Sequence, residues 1–246
     1  MRGALYYLPV LILAGAWELA SRSGLVSTRA LPALSSVLKA WAELLASAEL
    51  WTDAGASLWR AGVGFALSVA VGAVLGIAMA WWRPLRALVD PLVEALYPLP
   101  KSALIPVTAL WLGFGDASKI LLIFLACMLP VTIGAFNGAR GCEAVMLWSA
   151  RSLGAGRLRV LWDVVVPSTL PELLNGTRTA LALAFILLVS SELIASRDGL
   201  GHLIGTLGEA GVYDAMFAAV LTVAFLGFVA DRLYMLFANW MLRWRA

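Results

Sequence analysis

Four carboxylates stand in or beside long apolar runs, where an ionisable group is costly and usually functional. They are Asp90, Glu94, Glu192 and Asp231. In a gradient-driven carrier such groups bind the coupling ion, so this set is the starting point for a secondary transporter. The alternative is that each group caps a helix, pairs with a nearby basic residue or reaches the interface, and we favour it for all but Glu192. Glu192 closes a polar step near one end of an apolar run and is a candidate for a translocation pathway.

Prolines and cations at membrane depth give further pathway candidates. Pro98 and Pro100 interrupt an apolar run just before Lys101, and such breaks persist where protein or a water-filled route satisfies the freed backbone groups. The same segment is also explained by a kinked helix whose lysine reaches one surface. We add Asn137 and Arg178 to the candidates, and pairing of Arg178 with a lipid phosphate or with Asp163 is the alternative for that residue.

The sequence contains no arrangement that favours catalysis, nucleotide hydrolysis or metal binding. Its three lysines, Lys39, Lys101 and Lys119, lie outside any GxxxxGK[ST] context. One histidine, His202, and two cysteines, Cys127 and Cys142, cannot form the usual metal sites or a membrane-embedded metalloenzyme. We therefore expect no catalytic residue, no metal and no cofactor in this chain, and energy from a partner or an ion gradient.

Composition identifies a polytopic membrane protein. Of the 246 residues, 62% are hydrophobic and 13% are charged, about half the charge of a soluble domain. A bilayer-crossing helix needs about 20 apolar residues. We predict a single all-α domain over residues 1–246 with six transmembrane helices near residues 5–20, 58–82, 85–112, 120–139, 173–195 and 216–242. An amphipathic helix is predicted near residues 33–50, where Val37, Leu38, Trp41 and Leu44 recur at helical spacing.

The distribution of arginine and lysine predicts the orientation. With the N-terminus inside, nine basic residues face the cytoplasm and five face outward, three of these five in the long first loop. The nine are Arg2, Arg83, Arg86, Arg140, Arg151, Arg157, Arg159, Arg243 and Arg245. Both termini and the segment 139–171 are thus expected on the cytoplasmic side of the cell membrane. Nothing in this charge pattern indicates nucleic-acid binding.

Small residues repeat every fourth position along the second predicted span. Gly64, Ser68, Gly72, Gly76 and Ala80 form one stripe, and Gly134 and Gly138 repeat the spacing in the fourth span. Small residues let membrane helices approach closely. We favour ordinary packing within one chain over a sliding seam.

The segment 139–171 is polar between two long apolar runs. Its spacing is specific: Ala150 is followed by Gly154 and, thirteen residues later, by Pro167. This pattern resembles the EAA signature of ABC importer permeases, with Trp148 where the signature has Glu. The segments 97–106, 110–115, 191–195 and 199–204 also resemble permeases of the nitrate/sulfonate/taurine type.

The resemblance implies the transmembrane subunit of a type I ABC importer working by alternating access. Two copies would form a homodimer above two ATPase subunits that bind ATP and Mg. An extracytoplasmic binding protein would deliver the substrate. That substrate would be a small solute such as a sulfonate, taurine, nitrate or a vitamin or pyrimidine precursor. A short coupling helix from about Ala150 to Arg159, between spans four and five, would contact the ATPase. The residues assigned to that contact are Ala150, Arg151, Gly154, Arg157 and Pro167.

The basic residues of the loop and the missing signature Glu each allow an alternative interpretation. Basic residues in a loop also suit a solvated segment near anionic lipid headgroups. The absence of the signature Glu implies that the loop or its contact is held in another way, either by apolar packing of Trp148 or through Glu143 upstream.

Overall fold

A computed structural model describes residues 2–24 and 26–245, with side chains for 8–24 and 26–244. The described residues form helices joined by short turns. The α-helices are α1 Arg2–Arg22, α2 Leu34–Leu45, α3 Ala48–Trp81, α4 Arg83–Leu96, α5 Ile105–Leu112, α6 Asp116–Arg140, α7 Ala144–Ser152, α8 Arg157–Val160, α9 Val166–Ala195, α10 Leu200–Glu209 and α11 Tyr213–Met241. Short 3₁₀ segments cover Lys101–Leu104 and Arg243–Arg245, and a π-helical turn covers Leu161–Val165.

Four helical stretches of the described residues are long and apolar enough to cross a membrane: Ala48–Trp81, Asp116–Arg140, Arg157–Ala195 and Tyr213–Met241. They overlap the second, fourth, fifth and sixth predicted spans, of which the second and sixth extend one residue further, to residues 82 and 242. The first predicted span falls within α1. Residues 1, 25 and 246, and the side chains of Arg2 and Arg245 used in the orientation argument, lie outside the described part of the chain.

The helix α6 is the centre of the bundle because it packs against both α3 and α9. The shared core contains Ile123, Cys127 and Val131 of α6, facing Ala61 of α3 and Ala184 of α9. Outside this core many large apolar side chains are exposed, including Val74 and Phe225. That arrangement suits a bundle surrounded by hydrocarbon, where an apolar exterior carries no penalty.

Glycines set the distance between these three helices. A Cβ added at Gly76 of α3 would lie 2.3 Å from the carbonyl oxygen of Thr132. On the opposite side of α6, a Cβ at Gly134 would lie 2.6 Å from the carbonyl oxygen of Glu172. The small-residue stripe therefore packs within one chain, as favoured from the sequence.

The third predicted span, residues 85–112, is not one continuous helix. The helix α4 ends at Leu96, and a 3₁₀ turn and the eight-residue α5 follow. Pro98 and Pro100 explain the division, because proline cannot donate the backbone hydrogen bond that would continue a helix. Pro91, by contrast, is accommodated inside α4.

The predicted amphipathic segment 33–50 ends earlier than expected. The helix α2 stops at Leu45, and Ser47 caps α3 by accepting a hydrogen bond from the backbone N–H of Leu50 at 3.3 Å. Because of this serine cap the second long helix begins at Ala48 rather than Leu58. Leu50 and Ala54 then pack with α10 and α11.

The contact at Gly76 yields a test of this packing. We expect Gly76→Ala to lower the free energy of unfolding by about 1–3 kcal/mol, because the new methyl group forces α3 away from α6. The measurement is the midpoint of thermal unfolding in detergent. Gly62→Ala on the same helix is the matched control, since its Cβ would meet nothing within 4 Å. Equal midpoints for the two variants would contradict the proposed constraint.

Candidate functional site

The helix α7 is attached to one end of the bundle, which we call the α7 end. Its inner residues Leu147 and Ala150 pack onto a buried cluster formed by Ala139, Val160 and Val165. Three other apolar residues of α7, Val145, Met146 and Trp148, are exposed. A short helix with one anchored side and one unpartnered apolar side is suited to contact another subunit.

A cavity of about 580 Å³ lies between α7 and the start of α9. Ala150, Leu153, Pro167 and Trp244 are among the residues that line it, together with the polar side chains of Ser149 and Asp163. The cavity thus joins the turn after α7, the first turn of α9 and the C-terminal segment into one concave surface.

Gly154 produces the bend that separates α7 from α8. Its φ of +82° lies in the left-handed region, which favours glycine. The backbone N–H of Gly154 donates to the carbonyl of Arg151, and the N–H of Ala155 donates to the carbonyl of Ala150. These bonds end α7, so the glycine of the signature is required by backbone geometry.

Pro167 accounts for the π turn that precedes α9. The backbone N–H of Val166 donates to the carbonyl of Leu161, five residues earlier. Because proline at position 167 cannot donate and its ring crowds the preceding turn, a wider turn is accommodated there. From Arg157 onward the chain is nevertheless one helical stretch that runs to Ala195.

The sequence prediction for this loop requires a correction. The helix proposed from Ala150 to Arg159 lies earlier, at Ala144–Ser152, and the loop proposed over 139–171 ends where α8 begins at Arg157. The physical reason is the left-handed Gly154, which interrupts the helix in the middle of the predicted range.

The structure divides the five predicted docking residues between two surfaces. Ala150 and Pro167 line the cavity beside α7. Arg151 and Arg157 line a second cavity with the corner between α3 and α4. Gly154 forms the bend between them.

Trp148 does not hold the loop by packing within this chain, because 64% of its surface is exposed. Glu143 precedes α7 but makes no side-chain capping hydrogen bond. Leu153, Leu158 and Trp162 are each exposed. Leu153 precedes the Gly154 bend, and the other two residues follow it.

A buried ion cluster occupies the opposite end of the bundle, which we call the Arg60 end. Arg60 of α3 is 2% exposed. Its Nη1 donates to Glu192 Oε1 at 2.8 Å, and its Nε donates to Asp116 Oδ1 at 2.7 Å. Its Nη2 pairs with Asp198. One guanidinium therefore joins α3, α6, α9 and the turn after α9.

Glu192 is the fully buried member of this cluster. Ser57 Oγ donates to the Glu192 carboxylate, with distances of 2.7 and 2.9 Å to its two oxygens, and the backbone N–H of Gly201 donates to Oε2 at 3.0 Å. A Cβ at Gly199 would lie 2.5 Å from the carboxylate carbon. The Gly199-Leu200-Gly201 sequence thus permits the chain to wrap around this carboxylate.

The surrounding loop completes the cluster. Asp53 Oδ1 accepts from the backbone N–H of Gly199 at 2.8 Å. Asp198 lies in the turn after α9, and its hydrogen bond from Arg60 lowers the pKa of the Asp198 carboxyl. The stabilisation from this pair is therefore present above the ordinary Asp pKa and is lost as the pH falls through the lowered value.

Sequence reasoning missed Arg60 as the organising residue and placed Glu192 near the outer surface on a pathway. In the structure the buried Glu192 carboxylate accepts hydrogen bonds from Ser57, Arg60 and the backbone N–H of Gly201. The available signal was an arginine within the second apolar run, since a cation there requires a partner. Its partners are distant in sequence, so spacing could not identify them.

Lys101 has a local partner set. Its Nζ donates to the carbonyls of Leu96, Tyr97 and Leu99 at 2.6, 3.2 and 2.7 Å. These carbonyls lie at the end of α4, where Pro98 and Pro100 interrupt the helical hydrogen bonds. The lysine therefore satisfies carbonyl groups that would otherwise lack a donor. Pro98 is exposed beside it.

The remaining candidates lie on the surface of the protomer. Arg178 makes a two-point contact with Asp231 of α11, at 2.8 and 3.0 Å, rather than with the predicted Asp163. Asp90 pairs with Arg86 at 2.8 Å, as the favoured alternative anticipated. Asn137 is exposed near the end of α6. Of the five pathway candidates, only Pro98 and Lys101 are neighbours along the chain, and the hydrogen bonds of Lys101, Arg178 and Glu192 go to residues outside this set.

The ion cluster can be tested by charge removal. Arg60→Gln is expected to lower the free energy of unfolding by about 3–5 kcal/mol, because it leaves the Glu192 charge buried without a cation. Adding Glu192→Gln to that variant should restore part of the loss, measured by thermal unfolding in detergent. Arg22→Gln, at the exposed pair with Glu18 near the end of α1, should cost about 1 kcal/mol or less. Simple additivity of the two cluster substitutions would show that the charges are not coupled.

Comparison with known proteins places these features in a family. Residues 69–243 match the family described as binding-protein-dependent transport system inner membrane component. The chain is 38% identical over 184 residues to the taurine transport system permease protein of Escherichia coli, covering 75% of this chain and 67% of that protein. It is 34% identical over 245 residues to a Bacillus subtilis protein named as an aliphatic sulfonates transport permease, covering 100% of this chain and 88% of that one.

A solved structure supports the same fold. The MetNI methionine ABC transporter, in an inward-facing conformation, aligns with a TM-score of 0.65 at 16% identity, covering 78% of this chain and 96% of the matched chain. The all-helical fold is thus that of type I importer permeases. Together with the family match over most of its length, this shows that the chain is a multi-pass inner-membrane protein and belongs to the family of ABC importer permeases.

Proposed function

We propose that this permease forms half of a sulfonate-class import pathway and couples it to ATPase subunits through α7. The observation that carries the proposal is the anchored α7. Leu147 and Ala150 fix it to the bundle, while Val145, Met146 and Trp148 are exposed, and Val145 and Met146 line the cavity of about 580 Å³. An ATPase subunit with a concave, apolar surface would cover these three exposed side chains.

The long helices offer a rigid route between the two ends. Arg60 and Ala80 both lie on α3, about 30 Å apart at 1.5 Å per residue, which is about the thickness of the hydrocarbon core. The helices α6 and α9 also reach both ends. Displacement of α7 by ATP-driven closure would therefore tilt α3, α6 and α9 together and change access at the Arg60 end.

The remaining parts of the assembly follow from the family and the charge pattern. We infer a homodimer of permeases, two ATPase subunits that bind ATP and Mg, and an extracytoplasmic binding protein at the Arg60 end. This chain supplies no ATPase site or cofactor of its own. The α7 end and both termini lie in the cytoplasm in this proposal.

The docking segment comprises Ala150, Arg151, Gly154, Arg157 and Pro167. Three of them act by shaping the loop. Ala150 packs inward, Gly154 bends the backbone, and Pro167 is preceded by the wider π turn. The exposed Trp148 supplies contact area in place of the signature Glu. Large aromatic side chains commonly dominate the binding energy of such contacts.

We assign different roles to the five pathway candidates. Pro98, Asn137 and Arg178 are exposed on the protomer and can face a second copy. Lys101 shapes the proline break. For Glu192 we propose an indirect role, in which it fixes Arg60 and the turn at 196–199 at the mouth of the pathway.

The substrate class rests on the relatives. Two of them carry names that specify taurine and aliphatic sulfonates, and a third, 28% identical, is named for formylaminopyrimidine. The higher identities favour a small sulfonate over a pyrimidine precursor or nitrate. A gradient-driven secondary transporter is not supported, since Asp90, Asp231 and Glu192 each have a basic partner rather than forming a shared ion site.

Gly154 gives the sharpest test of coupling. Gly154→Val should reduce ATP-coupled uptake by about tenfold or more, because a β-branched residue strains the left-handed backbone and misplaces α7. The measurement is uptake and ATPase co-purification in proteoliposomes. Gly156→Val is the matched control, since Gly156 has a φ of −68° and open space at its Cβ. Unchanged uptake by the Gly154 variant, with normal insertion, would oppose docking through this loop.

The substrate proposal is tested separately. Proteoliposomes containing the permease, its ATPase and its binding protein should accumulate taurine or a short alkanesulfonate in an ATP-dependent manner. Uptake of formylaminopyrimidine and of nitrate is measured in parallel. ATP-dependent uptake of either one, with no sulfonate uptake, would change the substrate class while leaving the coupling mechanism in place.

A further inference from the structure

A second cavity at the α7 end combines two arginines of the proposed docking segment with the α3–α4 corner, which that proposal does not involve. It has a volume of about 500 Å³ and is lined by Trp81, Trp82, Arg83, Pro84, Arg151 and Arg157. It lies between the corner that joins α3 to α4 and the two sides of the Gly154 bend. Cavities of this size accommodate small ligands or headgroups.

The charge of this cavity is unbalanced. Three guanidinium groups line it, and no carboxylate is among its lining residues. Within the described part of the chain, Arg83, Arg151 and Arg157 are absent from the ion pairs, whereas Arg60, Arg86 and Arg178 have carboxylate partners. An anion placed among these three cations would relieve their repulsion. Guanidinium groups bind phosphate oxygens through two parallel hydrogen bonds, so phosphate is the matching chemistry.

The surroundings indicate that the phosphate belongs to a lipid. Trp81 and Trp82 end a membrane-length helix, and paired tryptophans are typical of the headgroup level of a bilayer. An exposed apolar stripe of Leu67, Val71 and Val74 leads along α3 to Trp81 at helical spacing. Acyl chains can lie along this stripe while the headgroup enters the basic cavity.

We propose that the cavity binds the phosphate of an anionic phospholipid, which links the α3–α4 corner to the loop that carries α7. Arg151 precedes the Gly154 bend and Arg157 follows it, so one headgroup holds both sides of the bend. Arg151 and Arg157 also belong to the proposed docking segment, so the lipid and the ATPase subunit would share this loop. Lipid binding is measured on the permease without its ATPase, so this inference can fail while the docking proposal holds. An acidic segment of an ATPase subunit is the competing occupant.

Native mass spectrometry of the purified full chain, titrated with phosphatidylglycerol, tests the site. The wild type should retain one phosphatidylglycerol more tightly than phosphatidylcholine of the same acyl chains. Arg83→Gln with Arg157→Gln should weaken that binding about 30-fold, which corresponds to about 1 kcal/mol lost for each of two arginines. The charge-matched control is Arg159→Gln with Arg243→Gln, two exposed arginines that do not line the cavity.

Other results would overturn the proposal. Equal phosphatidylglycerol binding by the wild type and the cavity variant would remove the site, as would equal loss in the control variant. Occupancy by glycerol 3-phosphate at the same concentration would identify a free-phosphate site instead. Retained lipid with lost ATPase co-purification would identify a protein contact. Circular dichroism of each variant shows whether its helices are intact, and a helix-intact Arg83→Gln single variant replaces the double variant if the latter does not fold.

Discussion

Close approach of α6 to both neighbours is the constraint on which the bundle depends. In a bilayer the surrounding hydrocarbon provides little drive for helices to associate, so contact must come from dispersion between surfaces that fit closely. Gly76 on one side of α6 and Gly134 on the other bring backbones to distances that no side chain allows. Arg60 then joins the same three-helix unit at one end by charge, and the buried cluster beneath α7 joins it at the other end by packing.

The two ends differ in how they are built. At the Arg60 end a buried cation holds three carboxylates that come from distant parts of the chain, which makes this end specific in geometry. At the α7 end, α7 is attached to the bundle by apolar packing, and the Trp148 side chain on α7 is largely exposed. In the proposed mechanism, the rigid helices between the Arg60 cluster and the exposed apolar residues of α7 transmit displacement from one end to the other.

Local and periodic features could be predicted from the sequence, whereas long-range partnerships could not. The stripe at Gly64, Gly72 and Gly76 indicated helix contact because its period matches the helix. The spacing from Gly154 to Pro167 indicated the loop between the fourth and fifth predicted spans. The partners of Arg60 were missed because they lie 56 to 138 residues away. The helix boundary at Ser152 was also misplaced, since the effect of a left-handed glycine depends on a backbone conformation that residue type only permits.

The π turn before Pro167 has a consequence for how this protein family can vary. It contains one residue more than an α-helical turn would, and each residue rotates a helix by about 100°. Because the π turn already takes up one extra residue, inserting a further residue between Arg157 and Val166 would turn α7 to another side of the bundle while every individual contact residue remained present. We therefore expect the length of this segment to be constrained more strictly than its residue types.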